Sequence, residues 1–149
     1  MAESDLDRNS DPAEESRADA PADNSQSELP DHEELWPGGP TGAQIKEWKR
    51  VHRDIYVTSL TPEKHIVWRT LTRQEYRRLV AVLDEQTSSG QFTKSEASLN
   101  NEEAIAETVI LFPPYRRNAV DTSMAGIASL ISQEAMEASG FVALEIRQL

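Results

Sequence analysis

A chain of 149 residues has room for one domain of ordinary size. The absence of cysteine removes disulfide frameworks, thiolate zinc sites and cysteine nucleophiles. Of the net charge of −11, −10 falls before Thr41, where twelve acids face only Arg8 and Arg17; the rest of the chain, at −1, does not carry the charge of a strong nucleic-acid binder.

The opening residues, Met1-Ala2-Glu3-Ser4-Asp5, have neither the basic region nor the apolar stretch of a signal peptide. No later run approaches the roughly 18 apolar residues of a membrane span, so a soluble protein is expected. Residues 1–34 read as a disordered acidic arm. Up to Pro30 they offer little apolar surface beyond alanines, Leu6 and Leu29, and that cannot offset an ordering cost of about 1–2 kcal/mol per residue. The arm is either a solvating tail or an electrostatic limb for a basic partner. Residues 35–149 read as a single compact domain.

The domain opens on Leu35-Trp36-Pro37-Gly38-Gly39-Pro40, in which Pro37 forces Trp36 out of helical geometry and the glycines allow a turn. Trp36 is either a linear anchor for a partner or a residue that folds back on its own domain. Between Thr41 and His52, Ile45, Trp48 and Val51 recur every three residues and predict a short amphipathic helix. Ile55 to Leu60 and Ile66 to Leu71 are rich in β-branched and aromatic residues, and Thr61-Pro62-Glu63-Lys64 between them is a turn. A β-hairpin follows from that arrangement. Its register is left open.

Thr72-Arg73-Gln74-Glu75 has the form of a capping box. The stripe Tyr76, Leu79, Val80 and Leu83 then predicts a helix to about Gln86, with Arg73, Arg77 and Arg78 off the stripe. Gln91 to Ser98 reads as a polar loop or an extra turn, and Asn100 or Asn101 as the cap of a helix carrying Ile105, Val109 and Phe112, stopped by Pro113-Pro114. A last helix is expected from Thr122 or Ser123, with Met124, Ile127, Leu130, Ile131 and Ala135, ended by Ser139-Gly140. Phe141 to Leu149 fits a helix or a strand. The expected class is α+β: a small hairpin packed with three to four short helices, preceded by the acidic arm.

Chemistry is thinly represented. His32, His52 and His65 are isolated and lack the spacing of metal ligands, and no GxSxG, Walker A, GxGxxG or SxxK sequence occurs. No cofactor, metal or catalytic residue is assigned, and the expectation is a non-enzymatic protein. A small hydrolase would have to use His52 or His65. Arg73 and Arg77 share a helix face that Arg116 and Arg117 could extend into a basic patch, for phosphate, for an acidic partner or for the chain's own arm.

The run Val67-Trp68-Arg69-Thr70-Leu71-Thr72-Arg73-Gln74-Glu75-Tyr76, then Ile110-Leu111-Phe112-Pro113-Pro114, then Ala125-Gly126-Ile127 leading to Ser139-Gly140-Phe141, resembles small tail and baseplate hub assembly chaperones of contractile-tailed phages. The likeness covers about residues 54–142, and the acidic arm has no counterpart in it. It implies a turn near Gly126, which fits a helix beginning closer to Ile127. It also implies binding to other phage tail or baseplate proteins without catalysis, in the host cytoplasm during assembly, with retention in the virion tail as a minor component as a further option. No nucleic acid or membrane partner is expected. Candidate partner-binding residues are Trp36, Trp68, Arg69, Arg73, Tyr76 and Arg77. The alternative reading is a regulatory module whose acidic arm engages a basic protein surface.

Overall fold

The computed structural model describes residues 28–116, 124–141 and 148. The expected disorder of residues 1–27 and the conformation of residues 142–147 and 149 lie outside the described residues, as does Arg117 of the suggested basic patch.

Each early element begins where its sequence satisfies the first free backbone N–H groups. Helix α1, Gly42–Val51, is opened by Thr41, whose hydroxyl accepts from the Gln44 N–H while the Gln44 side chain accepts from the Thr41 N–H. The hairpin follows as β1, Ile55–Ser59, and β2, His65–Arg69, paired antiparallel with Tyr56 opposite Trp68 and Val57 opposite Val67. Helix α2, Arg73–Ser88, starts at the expected capping box of Thr72 and Glu75. Helix α3 runs Lys94–Val109 and leads directly into a short strand β3, Ile110–Phe112, antiparallel to β2. Helix α4, Gly126–Met136, continues into one π-helical turn, Glu137–Phe141, in which Gly140 takes φ +87° and so supplies the conformation that ends the helix. Among the described residues, four helices and a three-stranded antiparallel sheet of order β1-β2-β3 make this an α+β fold.

Two expectations are corrected in this region. Within Gln91 to Ser98, expected as a loop or an extra turn, residues 94–98 are the first turns of α3, and its cap is Thr93 rather than Asn100 or Asn101, because Thr93-Lys94-Ser95-Glu96 is a third capping box: the Thr93 hydroxyl accepts from the Glu96 N–H at 3.2 Å and the Glu96 carboxylate accepts from the Thr93 N–H at 2.8 Å. Phe112 belongs to a strand rather than a helical stripe. The backbone becomes extended at Ile110 and pairs Phe112 with Val67, so sheet hydrogen bonding wins over the helical spacing. Gly126 is the first residue of α4, in keeping with a helix start near Ile127. Met124, expected on that helix, precedes it and is exposed, and Val51 and Leu130 are also more exposed than their stripes suggest.

The sheet separates two packing layers. Tyr56, Thr58, Ile66 and Trp68 share the face that meets α3 and α4, where Ile105, Ala106, Val109, Ile110, Ala128, Ile131 and Ala135 are buried. Ala106 in α3 and Ala128 and Ala135 in α4 supply small side chains at the helix contact, which allows the two backbones to come close. The opposite face, with Val57, Val67 and Phe112 in register, is only partly covered: Leu29, Leu35 and Ile45 face it across a cleft of about 280 Å³, and Val57 stays 48 % exposed. Glu33 C=O accepts from the Gly42 N–H and Asp31 C=O from the Ala43 N–H, and Glu34 bridges to Thr41. Asp31, Glu33 and Glu34, placed in the arm by composition, are therefore tied to the start of α1. Gly42 makes this possible. A Cβ there would lie 2.2 Å from the Pro30 carbonyl oxygen and 2.4 Å from that of Leu29.

Candidate partner-binding surface

The six candidate residues separate into three places. Trp68 is a core residue, 4 % exposed. Its indole N–H donates to the Thr58 hydroxyl at 2.8 Å, that hydroxyl donates in turn to the Glu134 carboxylate, and the Tyr56 ring stacks on it at 4.7 Å. Its polar atom is satisfied internally, so Trp68 fixes β1 to α4 and presents nothing to a partner. Trp36 turns back onto the sheet, its ring 4.9 Å from His65 and 6.0 Å from Phe112. Of the two readings of Trp36, the self-contact is the one seen.

Arg69 is held by Glu75 in a two-pronged pair, with N–H···O distances of 2.9 and 2.8 Å, and donates a further bond to the Thr70 carbonyl at 3.1 Å. The Arg69 guanidinium, helped by the Thr72 N–H, holds the Glu75 carboxyl down at about 2 against burial, which opposes ionisation. Glu75 thereby joins the end of β2 to the cap of α2, and Arg69 is used up in that joint. At the same corner the Leu71 N–H donates to the Ser139 hydroxyl at 2.9 Å, so the end of α4 is fastened to the β2–α2 connection.

Arg73, Tyr76 and Arg77 stay on α2. Arg73 lies over the Tyr76 ring at 5.6 Å, and Tyr76 leans on Phe141 with ring centres 4.4 Å apart. Arg73 and Arg77 are exposed and Tyr76 is half-buried.

The two histidines that a hydrolase would require are also placed. His65 shares a 2.8 Å hydrogen bond with the Ser59 hydroxyl across the end of the hairpin, in an exposed setting. Burial, then the nearby Arg69 charge, holds the His52 imidazole below its ordinary pKa. Among the described residues no cluster of His, Asp and Glu could hold a metal ion.

The surface the sequence did not single out is the open side of the α2–α3 pair. Although α2 has 16 residues and a strong apolar stripe, none of them is buried. Leu79, Val82 and Leu83 of α2 and Ala104 and Thr108 of α3 wall a cleft of about 430 Å³, rimmed by Arg78, Gln86, Asn100 and Asn101. Val82 is 47 % exposed, and Leu99 on α3 and Phe92 in the α2–α3 connection are exposed nearby in sequence. The Thr108 hydroxyl is satisfied within its own helix by the Ala104 carbonyl at 2.7 Å. Val82 stands three residues after Leu79, at helical spacing, but was not counted in the stripe Tyr76, Leu79, Val80 and Leu83. The signal that could have found it was a β-branched residue on the outer side of a helix otherwise rich in charge.

A second concavity of about 470 Å³ lies at the other end of the sheet, between Trp36, His65, Phe112, Pro113 and Ile127. The Tyr115 hydroxyl is buried there without a hydrogen-bond partner among the described residues. Residues 117–123 lie outside the described residues. No family model, curated protein or solved structure matches this chain.

Proposed function

We propose that the chain is a non-enzymatic protein-binding factor that takes an apolar element of another protein into the α2–α3 cleft, and that it acts in the assembly of a phage tail or baseplate. The observation that carries the binding role is the uncovered state of α2: a long amphipathic helix with no buried residue bordering an apolar cleft. In protein-binding grooves of this kind, an amphipathic segment supplies the missing apolar face. The assembly setting rests on the sequence resemblance alone. A location in the host cytoplasm during assembly, with retention in the virion tail as a minor component as a further option, belongs to the same reading, and the partners are other tail proteins.

Co-expression of the full chain with the tail proteins encoded beside it tests the idea. The expected outcome is a complex that survives purification and is lost with Val82→Asp, which places a charge on the half-exposed wall of the cleft. Failure of every neighbour to copurify with a folded chain would overturn the assembly role. Retention of the complex by the Val82→Asp variant would overturn the cleft. Removing residues 1–27 separates this reading from the arm-driven one: binding through the cleft persists, and binding through the arm disappears. The cut belongs at 27 and not at 34, because residues 28–34 are hydrogen-bonded to the start of α1.

A further inference from the structure

The outer face of α2 has a second property, separate from the cleft. Gln74, Arg77, Arg78, Ala81, Asp84, Glu85 and Ser88 stand three, four or seven residues from Ala81, so they lie on one face, and all are exposed. The charges on that face run the wrong way for the helix. Arg73, Arg77 and Arg78 occupy the N-terminal half and Asp84 and Glu85 the C-terminal half, whereas a helix dipole favours acids at its start and bases at its end. Among the described residues Arg77, Arg78, Asp84 and Glu85 take part in no ion pair.

The sequence around this face has a symmetry of its own. Read outward from Ala81, Val80 mirrors Val82 and Leu79 mirrors Leu83, while Arg77-Arg78 on one side is answered by Asp84-Glu85 on the other. The apolar residues are unchanged by reversal and the charges change sign. A helix of that kind is complementary to itself when turned end for end. Parallel copies would set arginine against arginine.

We infer that this face pairs with a second copy of the chain, α2 against α2 in antiparallel, about a twofold axis at Ala81. Residues seven apart share one side of the seam, so Arg77 meets Asp84 of the second copy and Arg78 meets its Glu85, each pair occurring twice. A twofold axis gives a self-complementary interface by construction, and Ala81 at the axis lets the two helices approach. The association is weak and salt-sensitive, because its pairs are exposed. It leaves Leu79 and Leu83 on the opposite side of the helix, toward the cleft.

Charge exchange tests the inference in the full chain. Sedimentation equilibrium at about 0.1 M salt, where contact pairs persist while the field of the acidic residues is largely screened, should show a mass that rises from 16.7 kDa toward twice that value with concentration. Arg77→Glu with Arg78→Glu makes the face wholly acidic, and Asp84→Arg with Glu85→Arg makes it wholly basic. Each double variant alone should stay monomeric, and an equal mixture should form the dimer again. Each exchange removes one of the two sets of charges that oppose the helix dipole, so loss of the helix does not confound the result; circular dichroism checks this. A wild-type chain that stays monomeric at all concentrations, double variants that still associate, or a mixture that stays monomeric would each overturn the proposal. Because Arg78 also rims the cleft, partner capture is measured with the Asp84→Arg, Glu85→Arg variant, and either result can fail without the other.

Discussion

Helices α2 and α4 are both amphipathic, yet they are used in opposite ways. In α4 the apolar positions are filled by Ala128, Ile131 and Ala135, all buried against α3 and the sheet, and Ile131 is completely enclosed. In α2 the stripe holds larger residues, Tyr76, Leu79, Val80 and Leu83, and every one of them is only partly covered. Hydrophobic periodicity thus identifies a helix in both cases but does not say whether the rest of the chain covers it. Small residues mark the helix that is packed. Large residues that α3 covers only in part mark the helix left for something else.

The contrast is sharpest for truncation of one apolar side chain in each helix. Ile131→Ala should cost about 2–5 kcal/mol in urea unfolding, since it opens a cavity in an enclosed site, while Leu79→Ala, which trims a half-buried side chain at the edge of the core, should cost less, about 1–2 kcal/mol. Equal losses would mean that α2 is as well packed as α4. Next in size is the joint between the two regions. Glu75→Gln leaves Arg69, whose side chain is only 11 % exposed, without its countercharge, and should cost about 2–3 kcal/mol. The same carboxylate gives a pH signature. Its folded-state pKa of about 2 lies below the ordinary 4.5, so its contribution is complete above 4.5 and is lost as pH falls toward 2. In the Glu75→Gln variant, stability should fall less steeply over that window than in the wild type. The smallest effect belongs to the start of α3, where Thr93→Ala removes a cap and should cost about 1 kcal/mol. A loss near zero there would show that the first turns of α3 do not matter to the fold.

Much of this fold is legible in the sequence, and the illegible parts have physical causes. The hairpin was readable because β-branched residues flank a proline turn, and α2 because Thr72 and Glu75 announce it. The first turns of α3 were missed because apolar spacing was given more weight than the Thr93-Glu96 pair, although a polar helix start carries its signal in the cap rather than in the stripe. Phe112 was misplaced because three residues of strand cannot be told from the end of a helix by periodicity. Of the candidate site, Arg73, Tyr76 and Arg77 remain on an accessible helix. Trp68 and Arg69 lie in the run that carries the resemblance, and their size and charge are used inside, where Thr58 and Glu75 satisfy them. Such partners are distant or off-stripe in sequence, and only the folded chain brings them together.

The three capping boxes, at Thr41, Thr72 and Thr93, have a kinetic meaning as well. In each, four consecutive residues satisfy one another, so the first residue of the helix is chosen before any distant contact exists. Such local choices lower the cost of nucleating a helix, which is the unfavourable step of its formation. For α3, later docking against α4 would select the right start in any case. For α2, whose stripe residues are only partly covered, the box carries a larger share of that choice.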